Sequence, residues 1–166
     1  MRIPRELYEQ MIEHARQVAP NECVGLIASR NGDVEKLYRA TNAAASPLRF
    51  EIDGSEQIRY HNDIEDAGLE LGAIYHSHTR TDPVPSQTDI SFAAGWPGVL
   101  WVIVGLATGE PEVRTWSIDG ARVSEAELIG PESRPSPVAP VRLLVGLLAA
   151  LGVGALVIWG ISALLR

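Results

Sequence analysis

One thiol and few cations mark this chain of 166 residues. Cys23 is the single cysteine, which excludes an internal disulfide framework and a cysteine-rich zinc finger. Lysine and arginine total 14 against 21 aspartates and glutamates, a formal net charge of -7. Nucleic-acid binding ordinarily needs a basic face, so no nucleic acid is expected as a partner. The N-terminus, MRIPRELYEQ, holds no apolar stretch of signal-peptide length, so no secretory leader is expected. The chain also lacks an internal repeat.

What it does have is one long apolar run. Leu143 to Leu165 is 23 residues without a charge, bracketed by Arg142 and Arg166. As a helix this would span about 35 Å, against about 30 Å for a bilayer core. A buried core helix is the alternative, but a small domain rarely encloses a helix that is apolar all round. The expectation is a transmembrane helix over 142–166, touching lipid through 143–165. A proline-rich linker over 129–141 would precede it, with Pro131, Pro135, Pro137 and Pro140. Residues 1–128 would then be the folded domain. Residues 1–133 carry 21 acids against 11 bases, a net -10, whereas 134–166 carry three arginines and no acid. This is the layout of a single-pass protein held by a C-terminal anchor, with the domain in the cytoplasm on the side of Arg134 and Arg142. Gly146, Ala150 and Gly154 form a small-residue stripe that would permit a homodimer.

Within the domain, apolar spacing predicts a helix over residues 5–18, with Leu7, Met11, Ile12, Ala15 and Val18 on its core face. Residues 23–28 read as a buried strand. Asn31-Gly32 predicts a hairpin turn into a return strand over 34–40. A short strand is expected over 49–53. Asp53 with Glu56 resembles a capping box opening a helix to about Gly68. Strands are expected over 71–78, 99–105 and 113–118, and Asp119-Gly120 turns the chain into a last one over 121–123. The class is α/β or α+β, a central sheet flanked by helices; this pattern leaves the strand order open.

One segment carries chemistry. His76 and His78, at i and i+2 near the end of an apolar strand, project to one face. Ser86 is a plausible helix N-cap, and Asp89 follows on the same face three residues later. Two imidazoles and a carboxylate form the open three-ligand set of a catalytic zinc, with water in the fourth position. The bland alternative is a chance pair of strand histidines. Elsewhere the bland reading prevails. Cys23 is expected as small buried filler, His14 and His61 as solvated surface, and Trp96 and Trp101 as packing. Arg80 and Asp82 are expected in a solvated loop, although they could touch a substrate tail.

His76, His78, Ser86 and Asp89 stand at the spacing of the signature His-x-His-Pro-x6-Ser-x-x-Asp, and Pro20-Asn21-Glu22-Cys23-Val24-Gly25-Leu26 is similar to Pro-x-Glu-x-x-Gly-Leu. In these features residues 1–126 resemble the JAMM (MPN-plus) metallopeptidase family. The resemblance implies an MPN/cytidine-deaminase-like central sheet flanked by helices. It implies Zn2+ held by His76, His78 and Asp89. Glu22 would be the general base that then protonates the leaving amine. Ser86 would donate to the developing oxyanion. The implied substrate is the C-terminal tail of a ubiquitin-like protein or its conjugate. The surrounding residues look most like a bacterial branch that removes cysteine from a ubiquitin-like sulfur carrier. Thr79 stands where the signature has proline, which bears on the rigidity of the loop more than on metal binding. Two other readings are a membrane-anchored MPN scaffold without activity and a DNA-associated relative. The intact ligand set argues against the first, and the acidic domain against the second.

Overall fold

The computed structural model describes residues 1–130. Three helices and six strands follow in the order α1 (Arg5–Val18), β1 (Val24–Arg30), β2 (Asp33–Ala40), α2 (Gly54–Asp66), β3 (Glu70–His78), α3 (Gln87–Ala93), β4 (Leu100–Gly105), β5 (Glu112–Asp119) and β6 (Arg122–Ala126). The strands form one sheet in the order β2-β1-β3-β4-β5-β6. Every neighbouring pair is antiparallel except β3 and β4. A parallel pair needs a long crossover, and here residues 79–99 supply it, carrying α3.

The β1–β2 hairpin turns on Asn31 and Gly32, with φ of 53° and 82°, as a tight turn between right-twisted strands requires. Helix α1 lays Met11 and Ala15 on one face of the sheet, against Ile27, Ala73, Tyr75, Val102 and Val104. Ile64 of α2, Ala93 of α3, Phe50 and Ile52 cover the other face, over Val24, Leu26, Ile74, Trp101 and Ile103. The central strands are therefore buried on both sides. Each large side chain enclosed this way stabilises the fold by about 1.5–3 kcal/mol relative to exposure. Gly25 is needed where it stands, because a Cβ there would run into the Tyr75 ring and the Tyr38 carbonyl.

Two expectations from the sequence change. Residues 49–53 do not form a strand; an isolated bridge pairs Asn42 with Ile52. The side chain of Asn42 replaces a ladder partner: its Oδ1 accepts from the Ala44 and Glu51 amides, and its Nδ2 donates to Arg49 O. Asp53 does cap α2, accepting from the Ser55 and Glu56 amides. Glu56, however, does not close a box. Its carboxylate accepts from the Thr41 amide and hydroxyl.

Ile129, assigned from sequence to the linker, exchanges backbone hydrogen bonds with Met1 and Ile3. Residues 131–141 of that linker, the membrane helix expected over 142–166 and its small-residue stripe lie outside the described residues. Among the described residues, no helix is long and apolar enough to cross a membrane.

Candidate metal centre

The site forms at the carboxyl end of β3, where the crossover begins. His76 pairs with Val24 of β1 and Ile103 of β4, and His78 pairs with Gly105. Both rings extend from the sheet face that α2 and α3 cover. Residues 79–85 then turn back, and Ser86 opens α3. Its hydroxyl oxygen accepts from the Asp89 amide at 3.2 Å, while the Asp89 carboxylate accepts from the Ser86 amide at 2.7 Å. This reciprocal capping box points the carboxylate toward the strand.

Three donor atoms converge. His76 Nε2 lies 3.2 Å from His78 Nε2 and 3.3 Å from Asp89 Oδ1, and His78 Nε2 lies 3.4 Å from Asp89 Oδ2. All three residues are buried, and the cluster is a group that could hold a metal ion. The tautomer of His78 is set by its other nitrogen: Nδ1–H donates to the Asp82 carbonyl at 2.9 Å, leaving Nε2 as a lone-pair donor. His76 is positioned differently. Its ring packs on Phe50 with centroids 4.6 Å apart, and its Nδ1 has no hydrogen-bond partner among the described residues. Two neutral nitrogens and one carboxylate on a buried wall suit a divalent, borderline-soft cation.

Burial and the neighbouring groups shift the three residues differently. Burial pushes His76 below the usual histidine range, favouring the neutral ring a metal needs. Burial also opposes charge on His78, but hydrogen bonds to Asp89 and to the Asp82 carbonyl outweigh it and raise its pKa. Burial works against ionised Asp89, yet the two imidazoles overcome it and hold the carboxyl well below its usual range.

Glu22 precedes β1 and is buried, with 5% of its surface exposed. The β1–β3 ladder continues from Val24–His76 to a bond from the Ser77 amide to Cys23 O, which brings Glu22 opposite His78. Burial raises the Glu22 pKa to about 7; His78 pulls it down and Asp89 pushes it up. Its backbone is clamped by Ser46 O, which receives the Glu22 amide, and by Asn42 Nδ2, which donates to the Glu22 carbonyl.

The loop between His78 and Ser86 is anchored by groups whose part was not evident from sequence. Pro83 is seated on Gly105, whose missing Cβ would meet Pro83 Cδ at 2.8 Å. The Trp116 indole N–H donates to Pro83 O at 2.9 Å. Asp82 acts through its main-chain carbonyl, which a residue-type signal cannot reveal; its side chain and that of Arg80 are exposed, as expected for a solvated loop. Cys23 is buried as expected, and burial pushes its thiol up to about 12. Trp101 is fully buried, and His61 is exposed beside Glu65. His14 departs from its expected surface position. It is buried on α1 and shares a 2.8 Å hydrogen bond with Tyr75 Oη, because Tyr75 projects from β3 beneath the helix.

A mixed sheet with a buried His-His-Asp cluster at the crossover end of a central strand is the outline of a mononuclear metal hydrolase. Residues 4–119 match the prokaryotic homologues of the JAB domain, and the chain belongs to this family. The chain is 36% identical over 129 residues to the CysO-cysteine peptidase of Mycobacterium tuberculosis, covering 74% of this chain and 86% of that one. It is 33% identical over 121 residues to the desampylase of Haloferax volcanii, covering 69% and 86%. The solution structure of DSY2949 from Desulfitobacterium hafniense superposes with a TM-score of 0.70 at 32% identity, covering 78% of this chain and 92% of that one.

Proposed function

We propose that the chain is a zinc-dependent peptidase or isopeptidase acting at the C-terminal tail of a ubiquitin-like protein. Release of cysteine from a sulfur-carrier protein is the leading case. The convergence of His76, His78 and Asp89 carries this reading, and the names of the relatives support the substrate class. His76, His78 and Asp89 would hold the zinc, which when bound would supply Lewis acidity, lowering the pKa of water from about 15.7 toward about 7 and polarising the scissile carbonyl.

The remaining steps belong to the chain's own residues. Glu22, with a pKa raised to about 7, is balanced to take a proton from the attacking water and return it to the leaving amine. Ser86 donates to the oxyanion that forms on the scissile carbonyl. Its cap uses a lone pair on Oγ and leaves the hydroxyl hydrogen available, so the two roles coexist. Residues 142–166 anchor the protein in a membrane, a reading supported by the uncharged run from Leu143 to Leu165.

The full-length chain should hold one zinc and release cysteine from CysO-cysteine, read as a mass loss in the substrate. Glu22→Gln should abolish release while zinc is retained. A chain without zinc, or a Glu22→Gln variant of undiminished activity, overturns the reading. For the anchor, the full-length chain should stay with membranes through alkaline extraction; its release would exclude a membrane-spanning segment.

A further inference from the structure

Before Cys23 the ladder of β1 and β3 ends, and side-chain hydroxyls of Ser77 and Thr79 take the places of a backbone acceptor and a backbone donor. Ser77 Oγ receives the Cys23 amide at 2.9 Å. Two residues on, Thr79 Oγ1 donates to Pro20 O at 3.1 Å, across 59 positions of sequence. These two bonds bracket Glu22 from the β3 side, as Ser46 O and Asn42 Nδ2 hold it from the other. The residue between the two hydroxyls is His78, opposite Glu22.

We propose that Thr79 is a positioning residue for Glu22. Its hydroxyl ties residues 20–22 to the end of β3 and so sets the Glu22 carboxylate over His78 and Asp89. A proline at this position has no donor and cannot make the tie, so the threonine is a functional replacement and not a relaxed version of the signature. A base misplaced by a fraction of an ångström still leaves the ligand set whole, so the effect falls on turnover and not on metal content. The inference rests on the reading of Glu22 as the general base.

The test uses the full-length chain and its Thr79→Val and Thr79→Ser variants, with CysO-cysteine as substrate, zinc analysis, and amide hydrogen exchange over residues 21–23. Thr79→Val keeps the side-chain volume and removes the donor. It should lower kcat about five- to tenfold with KM within about twofold and zinc content unchanged. Exchange over residues 21–23 should quicken, and Thr79→Ser should restore both readouts. Unchanged kcat, an effect confined to KM, loss of zinc, or failure of serine to rescue each overturns the proposal. If the wild-type chain releases no cysteine, the functional reading falls instead. The exchange data then decide alone whether Thr79 holds the segment: quickened exchange in the valine variant reversed by serine upholds it, and unchanged exchange rejects it.

Discussion

The indole nitrogen of Trp116 lies 2.9 Å from the carbonyl of Pro83, one residue beyond the carbonyl that receives His78 Nδ1–H. A tryptophan on β5 thereby fixes the backbone that orients a ligand on β3. Trp116→Phe keeps most of the packing and removes the donor. Metal affinity should fall about tenfold, the scale expected when an outer-shell partner of a ligating histidine is lost. Competition with a chromophoric chelator measures it, and wild-type affinity in the variant would show that the loop holds its shape without the indole.

Ser86 caps α3 and, in the proposed mechanism, also donates to the oxyanion; two substitutions separate the tasks. Ser86→Ala removes both cap and hydroxyl, and should cost about 1 kcal/mol of stability together with about 10²–10³-fold in kcat. Ser86→Asp keeps a capping oxygen and has no donor, so stability should recover while turnover does not. Urea midpoints and steady-state rates resolve the two; recovery of turnover by aspartate would mean that Ser86 acts through the cap alone.

His14 predicts a pH dependence of stability. Burial, aided by Arg39, lowers its pKa from 6.5 to about 4. Below pH 6.5 the unfolded chain binds a proton that the folded chain refuses, so stability is full above 6.5 and is lost as the pH falls toward 4. The span corresponds to about 3 kcal/mol. Glu22 has the opposite sign, since its folded pKa is raised from 4.5 to about 7 and the folded chain gains as the pH falls through that range. The informative quantity is therefore the difference between wild type and His14→Gln in chelator, followed by urea unfolding from pH 7.5 to 4. A difference that does not change with pH would refute a buried neutral His14.

Metal removal should destabilise the chain by mass action. Free zinc at a hundred times its Kd adds about 2.7 kcal/mol to the folded state. Thermal unfolding with and without chelator should reveal this shift in the wild type and lose it in Asp89→Asn. A shift that persists in the variant would place the stabilising ion elsewhere.

The parts readable in advance were those in which a side-chain pattern determines the structure. The apolar spacing from Leu7 to Val18 matches α1 residue for residue, and the apolar run ending at His78 is β3 to within a residue. The His-x-His and Ser-x-x-Asp spacings are local, so they show how three ligands can meet before any fold is known. Contacts from distant sequence were hidden. His14 is a polar letter on a helix, and its burial depends on Tyr75, 61 positions away. Residues 49–53 look like a strand because nothing in their own pattern says that the Asn42 side chain will take the Arg49 carbonyl and the Glu51 amide and leave a single bridge. His78 is oriented by a main-chain carbonyl, which every residue type possesses, and the Glu22 segment is held by Asn42, Ser77 and Thr79, all distant in sequence.

The capping box of α3 has one more consequence. At seven residues that helix is too short to persist by itself in water, since nucleation is unfavourable and few hydrogen bonds follow it. The group that nucleates it is the Asp89 carboxylate, which also faces the two imidazoles. Winding the first turn and presenting the third ligand are thus one event. An ion held between His76, His78 and Asp89 would therefore join the end of β3 to the start of α3, the two ends of the loop that opens the crossover between the one parallel pair of strands.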